Sequence, residues 1–385
     1  MAVGHTEELD GASAASDLLE QCASSLDGET PRAGLFFAAH DLDIEDALAA
    51  IAAVHPDLEL IGCTTLGAMS SSGGFQPGST TLTLFASDVL DFTVGLGRDV
   101  MEDPGLAVRT AVGEAVSKTS KEPALVVVTP TVEHLDPTPM TRSMGEAIGL
   151  SVPVIGAGAS PDFPVAMPWL GGVQFHGQEV LSDSLPLLVI SGPLHVSIGI
   201  AHGWKPVGKE AVVTGAHENT VYEIDGEPIL GFYNRYLGAG SQPAVANPLA
   251  VLDQETDRYF LRAPLEYNED DGSAVFFGSI PQGSTVRLAM ATTEEILEGA
   301  DNSVAQALDG FPAGSTPEAA LIASCAVRNL LLGTRTGVEI ERILSGLDCE
   351  IPVSGFYGIG EIAPLGSDST PSFHNETCVT VLIGT

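Results

Sequence analysis

The apolar and polar positions of this chain fall into a pattern that recurs three times. The first copy opens with the apolar run Leu35–Ala39. A helix is expected next, with Asp43 as N-cap and Ile44, Leu48, Ile51 and Ala52 on one face. A second apolar strand, Leu58–Ile61, ends at Gly62 of the motif GCTTLG. A Gly/Ser-rich loop over 70–79 then leads into Thr80–Phe85, which alternates as a half-buried strand does. The second copy has a strand at 124–128, a helix from about Pro139 to Leu150, and a strand Val152–Ile155 ending at Gly156 of GAGAS. Leu187–Ile190 returns as a further strand. The third copy has a strand at 320–323 and a helix that must cross Gly333 or break there. A helix Val338–Leu347 follows, then a strand Ile351–Ser354 ending at Gly355 of GFYGIGE, and the closing strand Cys378–Ile383. Glycine at each strand end suits a sharp turn.

Between copies two and three the pattern changes. His195–Ala201, Glu210–Ala216 and Thr220–Ile224 read as strands, Glu227–Leu237 as a short helix, and Arg258–Tyr267, Ala274–Ile280 and Thr285–Ala291 as an antiparallel meander. Thr292 and Glu295 form a capping box for a helix running to Leu308, and Phe311–Pro317 reads as a linker. Strand–helix–strand order implies sheets with helices packed on a face. The expected fold is therefore α/β, with mixed sheets, repeated strand–helix–strand units and two packed domains. The expected divisions are a helical N-terminal extension at 1–32, one domain at 33–220 and a second at 221–385.

Composition narrows the function classes. The chain has 385 residues, 44% of them hydrophobic, which is too apolar for a disordered chain. Fifteen basic residues face 51 acidic ones, for a net charge of −36. A nucleic-acid binder needs Lys and Arg to displace counterions, so no nucleic-acid partner is expected. Anionic membrane surfaces would repel the chain as well. The apolar stretch Leu185–Ala201 is broken by Pro186, Gly192, Pro193 and His195 and reads as two strands rather than a membrane span. Residues 1–10 are acidic and lack the apolar core of a signal peptide. A cytoplasmic address is expected. The five cysteines are widely spaced and form no CxxC, which argues against a disulfide framework or structural zinc.

Most chemistry-bearing motifs are missing. His374-Asn375-Glu376 is not HExxH, and there is no P-loop or GxSxG. Gly156–Pro161 approaches a dinucleotide fingerprint, but Pro161 stands where the third glycine belongs. The distinctive segments are Ser324-Cys325-Ala326-Val327-Arg328 after one apolar strand, Gly355–Pro364 after another, and Phe373-His374-Asn375-Glu376-Thr377 before the last.

Their order and spacing resemble the C-terminal half of the FIST sensory-domain family. Ile61–Gly67, with Cys63 and Thr64, looks like that family's first glycine motif, and His202–Gly208 with Val221–Gly226 looks like the join between its halves. Ala68 stands where the family's first motif carries an acid; the third copy has one, Glu361. The resemblance implies an intracellular sensor of small ligands, amino-acid-like ones among them, with output through a separate protein such as a histidine kinase or a cyclase. Some members bind haem and sense nitric oxide.

Arg328 can clamp a ligand carboxylate or pair with Glu361 or another acid. Glu361 can hold a ligand amine or a backbone donor. Phe356 and Tyr357 can wall a pocket, and His374 and Asn375 can touch the ligand. Cys63, Thr64 and Cys325 complete the candidate site; the two thiols are either small buried hydrophobes or nucleophiles of a cysteine enzyme. No cofactor is expected in the first reading. In a haem reading the axial candidates are His134, His202 and His374.

Overall fold

In the computed structural model, which describes residues 1–132, 135–160, 171–253, 258–347, 350–365 and 369–385, each of the three copies builds the same four-stranded sheet. The strands are Ala2–Thr6, Ala33–Ala38, Glu59–Thr64 and Thr80–Phe85 in the first unit, and Asp91–Arg98, Pro123–Val128, Val154–Gly158 and Ser184–Ser191 in the second. The third unit uses His195–Ala201, Ala319–Cys325, Val353–Pro364 and Cys378–Gly384. In every unit the spatial order is first, fourth, second, third. The second and third strands are parallel, as a helical crossover requires, and the fourth is antiparallel to its neighbours. Each unit carries one helix after its first strand (Gly11–Leu26, Pro104–Ser117, Thr293–Gly310) and helical structure after its second (Ile44–Val54, Thr138–Ile148, and Ala326–Leu332 followed by Thr336–Leu347). The last pair breaks at Gly333, whose φ is +53°.

Strand alternation divides each sheet's residues between two cores. Leu35, Phe37, Leu125, Val127, Leu321 and Ala323 point inward and form one apolar centre shared by all three units. Phe36 and Ala38, Val126 and Val128, and Ala320 and Ile322 point outward under each unit's own helices. Sheets thus line the middle and helices clothe the outside.

The repeat extends to individual contacts. A Cβ on Gly4, Gly95 or Gly199 of the first strands would lie 2.6 Å from Leu18 O, 1.9 Å from Ala111 O or 1.8 Å from Ser303 O of the helix above. Three residues further along each helix, Gln21, Glu114 and Gln306 accept the N–H of the residue after that glycine: His5 at 2.9 Å, Leu96 at 3.1 Å and Ile200 at 3.1 Å. Each first strand lies so close to its helix that only glycine fits, and a side chain of the same helix occupies one of its outward-facing amides.

The N-terminal segment is more than a helical extension, because Ala2–Thr6 pairs with Thr80–Phe85 and completes the first sheet. The β-rich stretch forms a separate eight-stranded sheet inserted within the third unit, between its first strand and its first helix. Its long strand Lys205–His217 pairs with Thr220–Ile224, so a division at 220/221 would cut a hairpin. The segment expected as a single strand over Arg258–Tyr267 is two, Tyr259–Arg262 and Pro264–Tyr267, at opposite edges of that sheet.

The second and third units join edge to edge, where Ile359, Glu361 and Ile362 pair antiparallel with Gly158, Ala157 and Gly156. Gly360 takes φ +64° at the irregularity in this pairing.

Candidate functional site

The three glycine turns converge on the main chain of Tyr357. Its carbonyl accepts from the hydroxyls of Thr65 (2.9 Å) and Ser160 (2.7 Å), and its N–H donates to Gly67 O (3.1 Å). The Thr64 hydroxyl donates to Ser160 O at 3.0 Å, and Ser160 N–H donates to Thr64 O at 3.0 Å. Phe356 stacks on Phe37 with centroids 4.1 Å apart, and Cys63 sits in the same central core. The distant segments near 62 and 355 are therefore direct neighbours. Phe356, Cys63 and Thr64 are consumed by packing and by this knot of hydrogen bonds. Burial pushes the Cys63 thiol up.

Arg328 enters from the helix that follows strand Ala319–Cys325 and is fully buried. Its Nε donates to Glu339 Oε1 at 3.0 Å, and its Nη2 donates to the same oxygen and to Ile296 O at 2.7 Å. Nη1 donates to His202 O at 2.7 Å and Glu376 O at 3.3 Å. A guanidinium has five N–H donors, and all five are spent. The carboxylate clamp expected at Arg328 has no donor left for a ligand; the arginine ties four remote segments together. Glu339 Oε2 accepts from Ser324 Oγ at 2.9 Å and from the Tyr357 hydroxyl at 2.6 Å, so Tyr357 belongs to this network rather than to a pocket wall. Glu339, rather than Glu361, is the arginine's counter-ion.

With Arg328 neutralised, two buried acids remain. Glu361 Oε2 accepts from Thr377 N–H at 3.0 Å and from its hydroxyl at 2.7 Å, while Oε1 has no hydrogen-bond partner among the described residues. Neither carboxylate oxygen of Glu376 has one. Burial pushes the Glu361 pKa up to about 7, against the opposing pull of Thr377, Cys325 and Arg328. Burial, and then repulsion from Glu361, hold Glu376 well above the carboxylate range. Burial and the two acids also push the Cys325 thiol up, which leaves little thiolate to act as a nucleophile.

These acids lie directly behind the wall of a cleft of about 980 Å³. Val196, Ile198 and Ile200 form one side, Tyr259, Phe260 and Leu261 of the inserted sheet form another, and His202, His374 and Thr377 contribute polar groups. His202 lies 5.3 Å from the Tyr259 ring, centroid to centroid, and its buried Nδ1 has no partner among the described residues. Burial lowers the pKa of His202 to about 4, with the positive charge of Arg328 adding to the effect. His374 is likewise lowered to about 4 by burial, against its bond to Ala363 O, with Arg262 and His202 adding to the fall. Both imidazoles are therefore neutral at pH 7. Asn375 faces away from a ligand role: its Oδ1 accepts Ala263 N–H at 3.0 Å and its Nδ2 donates to His374 O at 3.0 Å, stitching the inserted sheet to the third unit.

Of the expected residues, the structure brings Glu361, His374 and Cys325 to or just behind this cleft. It uses Arg328, Phe356, Tyr357, Cys63, Thr64 and Asn375 in the frame around it. Sequence reasoning passed over Glu339 and the side chain of Glu376, although Glu376 stood in a motif already singled out. His134 lies outside the described residues. No cluster of metal-ligating side chains occurs among the described residues, and no described helix is long and apolar enough to cross a membrane.

Several proteins are similar to this chain. An uncharacterised Methanocaldococcus jannaschii protein is 34% identical over 88 residues, which is 23% of this chain and 16% of the relative. An uncharacterised Mycobacterium tuberculosis protein is 26% identical over 210 residues, 50% of this chain and 52% of the relative. The chain thus spans about half the length, or less, of these curated relatives. Among solved structures, a chorismatase aligns over 94% of this chain and 95% of its own at 9% identity, with a TM-score of 0.33. The FIST N domain matches residues 32–227 and the FIST C domain residues 230–364, so the chain belongs to the FIST family.

Proposed function

We propose that this chain is a sensory module that reversibly binds a small ligand in the cleft beside His202 and His374. FIST domains are associated with sensory signal transduction. The observation that carries the reading is the gathering, in and behind the cleft, of buried polar atoms with no partner among the described residues: His202 Nδ1, Glu361 Oε1 and both oxygens of Glu376. Buried polar groups are normally paired, and a set left open together calls for a partner that supplies donors. An amine-bearing ligand with an apolar body, amino-acid-like in character, fits this set: its ammonium donates to His202 Nδ1 at the cleft wall, its positive charge favours the ionised form of the acids behind that wall, and its body meets Val196, Ile198 and Phe260. Binding changes the output by favouring one conformation over another, read by a separate signalling protein such as a histidine kinase or a cyclase in the cytoplasm.

Native mass spectrometry of the protein from its own cells, followed by thermal-shift screening with primary amines and amino acids, tests this. A retained or stabilising amine is expected, with its affinity reduced at least tenfold in Glu376→Gln and Glu361→Gln. Unchanged affinity in both variants overturns the reading.

One observation favours a second reading, haem binding: a neutral, unpartnered imidazole nitrogen, His202 Nδ1, stands in an apolar cleft. In that case His202 and His374 would be the axial candidates, and bound haem would supply gas ligation. A haem titration without a Soret shift, or one unchanged in His202→Ala, disposes of it.

A further inference from the structure

A smaller pocket of about 290 Å³ adjoins the cleft and shares Phe260, Leu365 and His374 with it. Arg262 lines it. Arg262 is only 5% exposed. Its Nε donates to Ser279 O at 3.1 Å, and its Nη1 donates to Leu261 O at 3.0 Å and Phe373 O at 3.1 Å. The guanidinium lies over the ring of Phe260, 4.4 Å from its centroid, with the Phe373 ring at 5.9 Å. In contrast to Arg328, one end remains open, because Nη2 has no hydrogen bond among the described residues. Burial lowers the Arg262 pKa to about 10, against the pull of Asp136, so the group stays charged at neutral pH.

The rest of the lining suits an anion. Thr138 opens the helix Thr138–Ile148 and lines the pocket. The exposed Arg142 adds a second cation on the same helix, and Ser372 brings a hydroxyl from the opposite strand. One acid stands nearby. Asp136 accepts Thr138 N–H at 3.0 Å and Ser279 N–H at 3.2 Å through Oδ1, and the Ser279 hydroxyl through Oδ2. Its charge offsets part of the field, which favours a singly charged, planar anion over a dianionic phosphate.

We propose that the Arg262 pocket is a carboxylate subsite, which takes the acid end of a ligand whose body lies in the adjoining cleft. This deepens the cleft reading and rests on it for the rest of the ligand; the acid end can be tested alone. The probes are benzoate and its neutral isostere benzamide, titrated into the full-length protein by saturation-transfer NMR with competition. Benzoate is expected to bind at least tenfold tighter than benzamide and tighter than inorganic phosphate. Arg262→Met should erase the preference, and the exposed Arg142→Ala should weaken benzoate about threefold while leaving benzamide unchanged.

The proposal falls if the wild-type protein shows no preference for benzoate, including no binding at all. It also falls if phosphate binds tighter, or if a folded Arg262→Met keeps the preference. Should Arg262→Met fail to fold, the wild-type comparison and Arg142→Ala decide the matter. Benzoate carries no amine, so its binding reads this subsite by itself and failure of the amine reading is seen separately from failure of this subsite.

Discussion

Glu361 works against the fold that buries it. Its pKa rises from the ordinary 4.5 to about 7 in the folded protein, chiefly through burial. Between those values the folded state holds a proton that the unfolded state has released. Stability therefore falls as pH rises through this window, and the full penalty applies above pH 7. Glu361→Gln keeps an oxygen for Thr377 but removes the titration. It should raise the melting temperature at pH 8 and change it much less at pH 5. An equal shift at both pH values would show that the carboxyl is not held as described. The contrast between the two buried arginines belongs at this scale too. Arg328 was conspicuous in the sequence because it follows a strand and a cysteine, and Arg262 was not. Their availability depends on which backbone carbonyls surround each one, and those come from segments as remote as His202 and Glu376.

At the scale of elements, the crossover pattern was legible because apolar alternation and N-cap residues are local signals. The strand Asp91–Arg98 and the helix Pro104–Ser117 escaped notice for a physical reason. The helix-facing positions of that strand are Gly95 and Gly97, set against Ala111 and Ala107. Close packing leaves that face without side chains, so the strand shows an apolar pattern on its other face alone, at Phe92, Val94 and Leu96. The same strand depends on Glu114, which accepts Leu96 N–H and pairs with Lys118 at 3.0 Å. Glu114→Ala should cost about 1–3 kcal/mol, the range for leaving a hydrogen-bonded amide without its partner. It should also promote concentration-dependent association through the uncovered edge. Denaturant titration and sedimentation check both effects, and a variant with unchanged stability would mean that this amide is served equally well by water.

At the scale of the whole molecule, the unit of folding is the set of three repeats rather than either sequence half. Strand His195–Ala201 lies in the N-terminal half but, among the described residues, pairs only with Cys378–Gly384 from the C-terminal one. Strand Val353–Pro364 lies in the C-terminal half but pairs with Val154–Gly158 and with Ala68–Ser70 from the first. Residues 1–227 and 228–385 made separately should each lack a cooperative thermal transition, and the two should copurify when made together. A cooperative melt of either half near that of the intact chain would refute this.

Local order along the chain specifies the threefold strand–helix–strand rhythm, the glycine turns that end it and the acidic character of the chain, because each of these is set by neighbours in the chain or by composition. Which charged groups are already paired and which are left open is settled by folding alone. A donor or carboxylate is spent or available according to groups that meet it from distant segments, and no local pattern records that meeting.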